Sequence, residues 1–169
     1  MRAKKIMGTV LSCLSTTAMG VAAGYMVAEK KINKVSNEEK DKLQLRINKF
    51  YDYFQLMNHW VMLKNAGKSL EQFFLDKDIR VIAVYGMGEV GHRLAEELKN
   101  TSVEIKYVID IRKELIISDF EVYTLEEHLE EVDAIIVTPL FDYYAIEKKL
   151  QEVCNYEVIS LEDVVYYLD

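Results

Sequence analysis

The sequence predicts an α/β protein: a parallel sheet of about five strands in the order 3-2-1-4-5, preceded by a membrane-spanning helix and a long amphipathic helix. Three observations carry this. Residues 79–93, IRVIAVYGMGEVGHR, lead from a β-branched apolar run through three glycines into apolar residues at helical spacing. Beyond them, short apolar runs alternate with helical patterns, an arrangement that pairs strands in parallel through crossover helices. Ahead of them, residues 6–28 contain no charged side chain.

The glycine stretch reads as strand, turn and helix. Gly86 makes the tight turn, Gly88 lets backbone N–H groups approach a phosphate, and Gly91 lets the helix pack close to the strand. Met87, Glu89 and Val90 complete the loop. Exposed N–H groups and the positive end of the helix dipole then form an anion site. A second apolar run, 105–109, ends in Asp110, 19 residues after Gly91 (91 to 110), near where an acidic residue accepts ribose hydroxyls. The pattern predicts a Rossmann-like nucleotide-binding unit; its competitor is a βαβ crossover whose glycines serve packing alone. Thr138, held extended by Pro139, is expected to set its hydroxyl beside the bound group. Glu89 departs from the pattern, because a carboxylate turned into the loop would repel a diphosphate. Asp110 favours NAD over NADP, although Arg112 lies close enough in sequence to engage a phosphate near the ribose.

In chain order, residues 6–28 are bracketed by Arg2, Lys4 and Lys5 before and Lys30, Lys31 and Lys34 after. At 1.5 Å per residue such a segment crosses about 30 Å of hydrocarbon. A transmembrane anchor is the favoured reading, against a signal peptide cleaved after Ala23 or Ala28, or an interfacial helix. The excess of Lys and Arg on the C-terminal flank orients the chain as a single-pass protein of the cell membrane with its C-terminal domain in the cytoplasm. Gly20 and Gly24 form a GxxxG through which two such helices can pair. These features make residues 1–35 the anchor.

Ser36 with Glu39 is a capping-box signature, and predicts a helical unit over 36–67. Leu43, Ile47, Phe50, Phe54, Met57 and Val61 then recur at steps of four and three. This heptad stripe predicts an amphipathic helix that lays one face on the nucleotide domain, or a short coiled coil that forms a homodimer. Tyr53, His59 and Trp60 lie off the stripe and offer a second contact surface. Gly67 ends the helix, and Ser69 with Gln72 opens a short one over 70–76. Within the nucleotide-binding domain, 68–169, strands are expected at 79–85, 104–109, 120–123, 133–138 and 156–159. Helices are expected at 89–99, from Thr124 to about 131, at 141–153 and from Ser160.

A net charge of -7 without a basic face argues against a nucleic-acid partner. Three scattered histidines and two distant cysteines, Cys13 and Cys154, offer neither metal spacing nor a redox pair. Tyr144 and Lys148 form YxxxK, a phenol and ammonium on one helix face, but only 53 residues beyond Gly91 (91 to 144), so they read as surface side chains. No catalytic residue is assigned.

Residues 64–98, with VID at 108–110 and IIVTPLFDYYAIEKKL at 135–150, resemble small Rossmann-like domains that accompany bacterial polysaccharide biosynthesis genes. Those are described as nucleoside-diphosphate-sugar epimerase-like or CoA-binding-like, and the resemblance spans 64–168. It implies binding of NAD or a nucleotide sugar through Gly86, Gly88, Gly91 and Asp110, in an accessory or regulatory role. The chain lacks a substrate domain, so a modifying enzyme would need a partner chain. It is more distantly similar to NAD-binding regulatory domains of potassium uptake systems.

Overall fold

A computed structural model describes residues 29–168, Ile32 excepted. The chain forms two compact units, one ending at Phe50 and the other beginning at Tyr51.

The first unit is the leading part of helix α1 (Arg2–Asn65). Among the described residues from Glu29 to Phe50 its side chains are exposed apart from half-buried Ser36 and Lys49. Local pairs along the helix, such as Gln44 with Asn48 at 2.9 Å, add small increments. The helix does not begin at Ser36. Residues 29–65 contain neither glycine nor proline, so the capping pair at Ser36 and Glu39 lies inside a continuous run of helix formers. Among the described residues no helix is long and apolar enough to cross a membrane. The predicted span at 6–28 and its Gly20–Gly24 pair lie outside the described residues.

In the second unit α1 ends as its sequence requires. Gly67 takes φ +74, and Lys68 N–H returns to Leu63 C=O. Ser69 Oγ then accepts Glu71 N–H and opens α2 (Glu71–Asp76). The sheet follows: β1 (Val81–Tyr85), α3 (Glu89–Leu98), β2 (Glu104–Ile109), β3 (Val122–Tyr123), β4 (Ala134–Val137), α4 (Tyr143–Val153), β5 (Glu157–Ser160) and α5 (Leu161–Tyr166). All five strands are parallel, in the order β3-β2-β1-β4-β5, as predicted.

Side chains alternate across the strands and divide the core in two. One face carries Ile82, Val84, Val108 and Ile136 and is covered by α1, α2, α3 and α5. The other carries Ala83, Tyr107, Ile135 and Val137 and is covered by α4 through Ile146 and Leu150, with Leu129 and Val132 beside them.

Two expectations are corrected. The face of α1 that packs in this unit is Leu56, Trp60 and Leu63, whereas the stripe residues Phe54 and Val61 are exposed and Met57 is half-buried. Leu43, Ile47 and Phe50, in the first unit, are exposed as well. Lys64 adds an ion pair to Glu97 of α3. Second, no helix follows Thr124. The capping contact forms, with Thr124 N–H donating to Glu127 at 2.6 Å. Instead, Tyr107 Oη donates to the Glu130 carbonyl, Lys106 Nζ donates to the Glu131 carbonyl, and Leu129 and Val132 pack in the core, so tertiary contacts rather than a local helical ladder hold this segment.

Candidate functional site

The carboxyl ends of β1, β2 and β4 bring the predicted residues together, as parallel sheets of this order do. Gly86 leaves β1 at φ +91 and donates its N–H to Ile109 C=O at 2.8 Å. A Cβ there would lie 2.9 Å from Thr138 Oγ1 and 3.0 Å from the Pro139 ring. A Cβ on Gly91 would lie 2.4 Å from Gly86 O, so α3 can approach the turn only with glycine at that place. Gly88 differs: a Cβ there meets nothing within 4 Å. Packing therefore accounts for two of the three glycines, and leaves open space at the third.

Helix α3 starts at Glu89 with Gly88 as its N-cap, in extended conformation. The first helical bond along it runs from His92 N–H to Gly88 C=O. The N–H groups of Gly88, Glu89 and Val90 precede that bond and are presented by the first turn. Glu89 is exposed, which removes the conflict a carboxylate inside the loop would have created; Val90 is half-buried against the core.

Asp110 and Thr138 both bond the glycine loop itself. Asp110, only 6% exposed, accepts Met87 N–H at 3.1 Å on Oδ2 and Arg112 N–H at 2.8 Å on Oδ1. It ties the glycine loop to the end of β2. The Arg112 side chain is exposed, with Nε 3.9 Å from the same carboxylate. Thr138 donates its hydroxyl to Gly86 C=O at 2.6 Å and its N–H to Tyr85 C=O at 3.1 Å. Its hydroxyl is thus directed at the turn, and the two side chains hold the loop from opposite sides.

Two residues that the sequence reading did not assign to the nucleotide site, Tyr85 and the off-stripe Tyr53, stand near the same edge. Tyr85, the last residue of β1, is 4% exposed. Burial raises its pKa, and the nearby carboxylates of Asp110 and Asp142 raise it further, so the phenol stays protonated. From α1, the Tyr53 hydroxyl accepts the Leu140 N–H at 3.3 Å, and its ring meets Phe141 edge to face at 5.9 Å. Burial raises the Tyr53 pKa as well; the Leu140 contact opposes this and Asp142 reinforces it. The available signals were a polar-tipped side chain closing an apolar strand and the off-stripe place of Tyr53.

No family model matches the chain, and no curated protein aligns with it.

Beside Met87 lies a cavity of about 760 Å³, floored by Ala95, Leu98, Val103, Ile117 and Phe120. It exists because the link from β2 to β3 forms only a 3-10 turn, Lys113–Leu115, where a crossover helix would normally cover the sheet. Tyr144 is 82% exposed and Lys148 is exposed too, away from the glycine loop's hydrogen bonds. Among the described residues no cluster of His, Cys, Asp and Glu could hold a metal ion.

Proposed function

We propose that the sheet unit is a nucleotide-binding module, for NAD or a nucleotide sugar, in a protein held at the cell membrane by residues 6–28 with its C-terminal domain in the cytoplasm. In this reading it is an accessory or regulatory subunit of cell-envelope polysaccharide synthesis, the setting that the resemblance over 64–168 implies. The observation that carries the ligand reading is the open space at Gly88 beside the N–H groups of the first turn of α3. A diphosphate would take those N–H groups, favoured by the dipole of a ten-residue helix. The base would lie against the apolar wall at Ile117 and Phe120.

The test is thermal unfolding of the full-length protein in detergent with NAD, NADP, CoA, UDP-glucose or ATP. At a ligand concentration 100-fold above its Kd the native state gains about 2.7 kcal/mol. A Gly88→Val variant, whose added atoms meet no backbone at Cβ, should keep the fold and lose the shift. No shift with any of the five would assign the glycine loop to packing. A reporter fused to the C-terminus and found outside the cytoplasm would overturn the orientation.

A further inference from the structure

We infer that the apolar stripe of α1 is the seam of a homodimer: two copies of this chain pair along Leu43, Ile47, Phe50, Phe54 and Val61, with their helices parallel and in register. The inference does not rest on the ligand reading.

The five side chains recur at steps of four, three, four and seven, and each is more than half exposed. The sheet unit does not use them. At about 100° per residue, Leu56, Trp60 and Leu63, the residues α1 buries in the core, lie about 140° around the helix from the stripe. Met57 fills the step skipped between Phe54 and Val61, and is half-buried against the core. Single exposed apolar residues are ordinary on a protein surface, whereas a line of them over about five turns marks a face that something covers.

The shape of the stripe selects the occupant. Gln44, Arg46, Tyr51 and Asn58 border it, so it is narrow. A globular core or a lipid surface takes an apolar face about 100° wide or more, while a stripe at the first and fourth places of a heptad is the width that one facing helix covers. A second copy brings a stripe of the same spacing, so every layer meets its equal. At roughly 100 Å² for each of these exposed side chains, the stripe offers about 500 Å² per helix and about 1,000 Å² in a pair. That reaches the lower limit of a specific interface and predicts a weak dimer, with Kd on the order of 10 µM. In unfolding experiments well below that concentration the chain is monomeric, so the stripe serves association and not the fold.

Charge selects the direction. Continued by heptads, the stripe ends at Lys40 on one side and at Lys64, which pairs with Glu97, on the other. In a parallel pair Lys40 meets its counterpart with Glu39 of each helix beside it. Along the flanks Glu39 then faces Gln44 of the second copy, and Arg46 faces its Tyr51, a cation beside an aromatic ring. No like charges meet across these flanks. An antiparallel pair that kept the apolar layers would set Lys40 against Lys64, and Arg46 against Trp60, which is already buried in the core.

The measurement is sedimentation equilibrium of the full chain in density-matched detergent from about 1 to 100 µM, a range that spans the expected Kd. Wild type should pass from monomer to dimer. Ile47→Asp sets two carboxylates face to face in the seam and should weaken association by about 10-fold or more. Its Tm should not change, because Ile47 is exposed in the single chain. Leu45→Asp, at a leucine as exposed as Leu43 but off the stripe, should leave Kd within about 2-fold. Direction is read by cross-linking in a Cys13→Ser, Cys154→Ser background. There Ile47→Cys should join its counterpart on mild oxidation, and Leu45→Cys should not.

Wild type that stays monomeric to about 100 µM, a dimer that persists in Ile47→Asp, or an equal loss in Leu45→Asp overturns the seam and leaves the stripe to lipid or to a different protein. A seam that Ile47→Asp disrupts but Ile47→Cys does not cross-link overturns the parallel register.

Discussion

Substituting Gly91 and Gly88 in turn separates the glycine that the fold needs from the one that it leaves open. In Gly91→Ala the new Cβ would stand 2.4 Å from Gly86 O, about 1 Å inside an ordinary carbon–oxygen contact of about 3.3 Å. The obstructing atom is backbone, and the same carbonyl accepts the Thr138 hydroxyl at 2.6 Å, so a rotamer change cannot relieve the clash. Overpacking of this kind costs up to about 3 kcal/mol, and alanine's helix preference offsets at most about 1. The net loss is about 2 kcal/mol, which for a unit of this size lowers Tm by about 8 °C. Gly88→Ala meets nothing, at φ -80, which alanine readily adopts. Alanine caps a helix less well than glycine, but it also reduces the entropy of the unfolded chain by about 0.4–1 kcal/mol, so the two terms nearly cancel. The assay is thermal and urea unfolding followed by circular dichroism. Equal destabilisation by both substitutions would refute the assignment of Gly91 to packing and Gly88 to open space.

Asp110→Asn leaves one of two N–H donors, buried Met87 or partly buried Arg112, facing an amide nitrogen, and should cost about 1–3 kcal/mol in urea unfolding without any ligand present. A stability unchanged by this substitution would show that Asp110 does not hold the loop. Trp60→Ala, at a site 3% exposed, should cost about 3–5 kcal/mol, whereas Phe54→Ala on the exposed stripe should stay within about 0.5. The reverse order would restore the heptad stripe as the packing face. Asp133 accepts the N–H groups of Arg80 and Val81, both at 2.8 Å, which holds its carboxyl below the ordinary value of 3.8. A depressed folded pKa contributes stability above the unfolded value and loses it as pH falls through the folded one. The acid limb of a stability–pH profile, below about pH 4, should therefore be shallower in Asp133→Asn than in wild type; parallel limbs would rule out that contribution.

The strand order was legible because it follows from local signals that agree with one another. Apolar runs alternate with helical patterns, and a glycine turn marks where the first crossover begins. The face of α1 was not legible, for a physical reason. Between Tyr53 and Leu63 the helix is apolar on more than one side: Phe54, Met57 and Val61 repeat as regularly as Leu56, Trp60 and Leu63. Periodicity shows that a helix has apolar stripes; the shape of what it meets selects the stripe that is buried. The absent helix after Thr124 has a similar origin. Its capping contact is real, but the carbonyls of Glu130 and Glu131 are bound by Tyr107 and Lys106, from a strand some 23 residues earlier.

Asp110 shows why the site was legible in its position and not in its bonding. A carboxylate at the end of the second strand accepts hydrogen bonds, and an acceptor serves a ribose hydroxyl or a backbone N–H equally well. Sequence places the acceptor and is silent on the donor. Here the donors are Met87 and Arg112, while Thr138 secures the other flank through Gly86 C=O. The consequence reaches the proposed ligand. With both flanks held by buried side chains, the N–H groups of Gly88, Glu89 and Val90 are fixed before anything binds, so a phosphate would not have to order the loop. Preorganisation of that kind would strengthen binding of the proposed ligand by lowering the ordering cost, and Asp110 and Thr138 would then contribute to affinity through the loop.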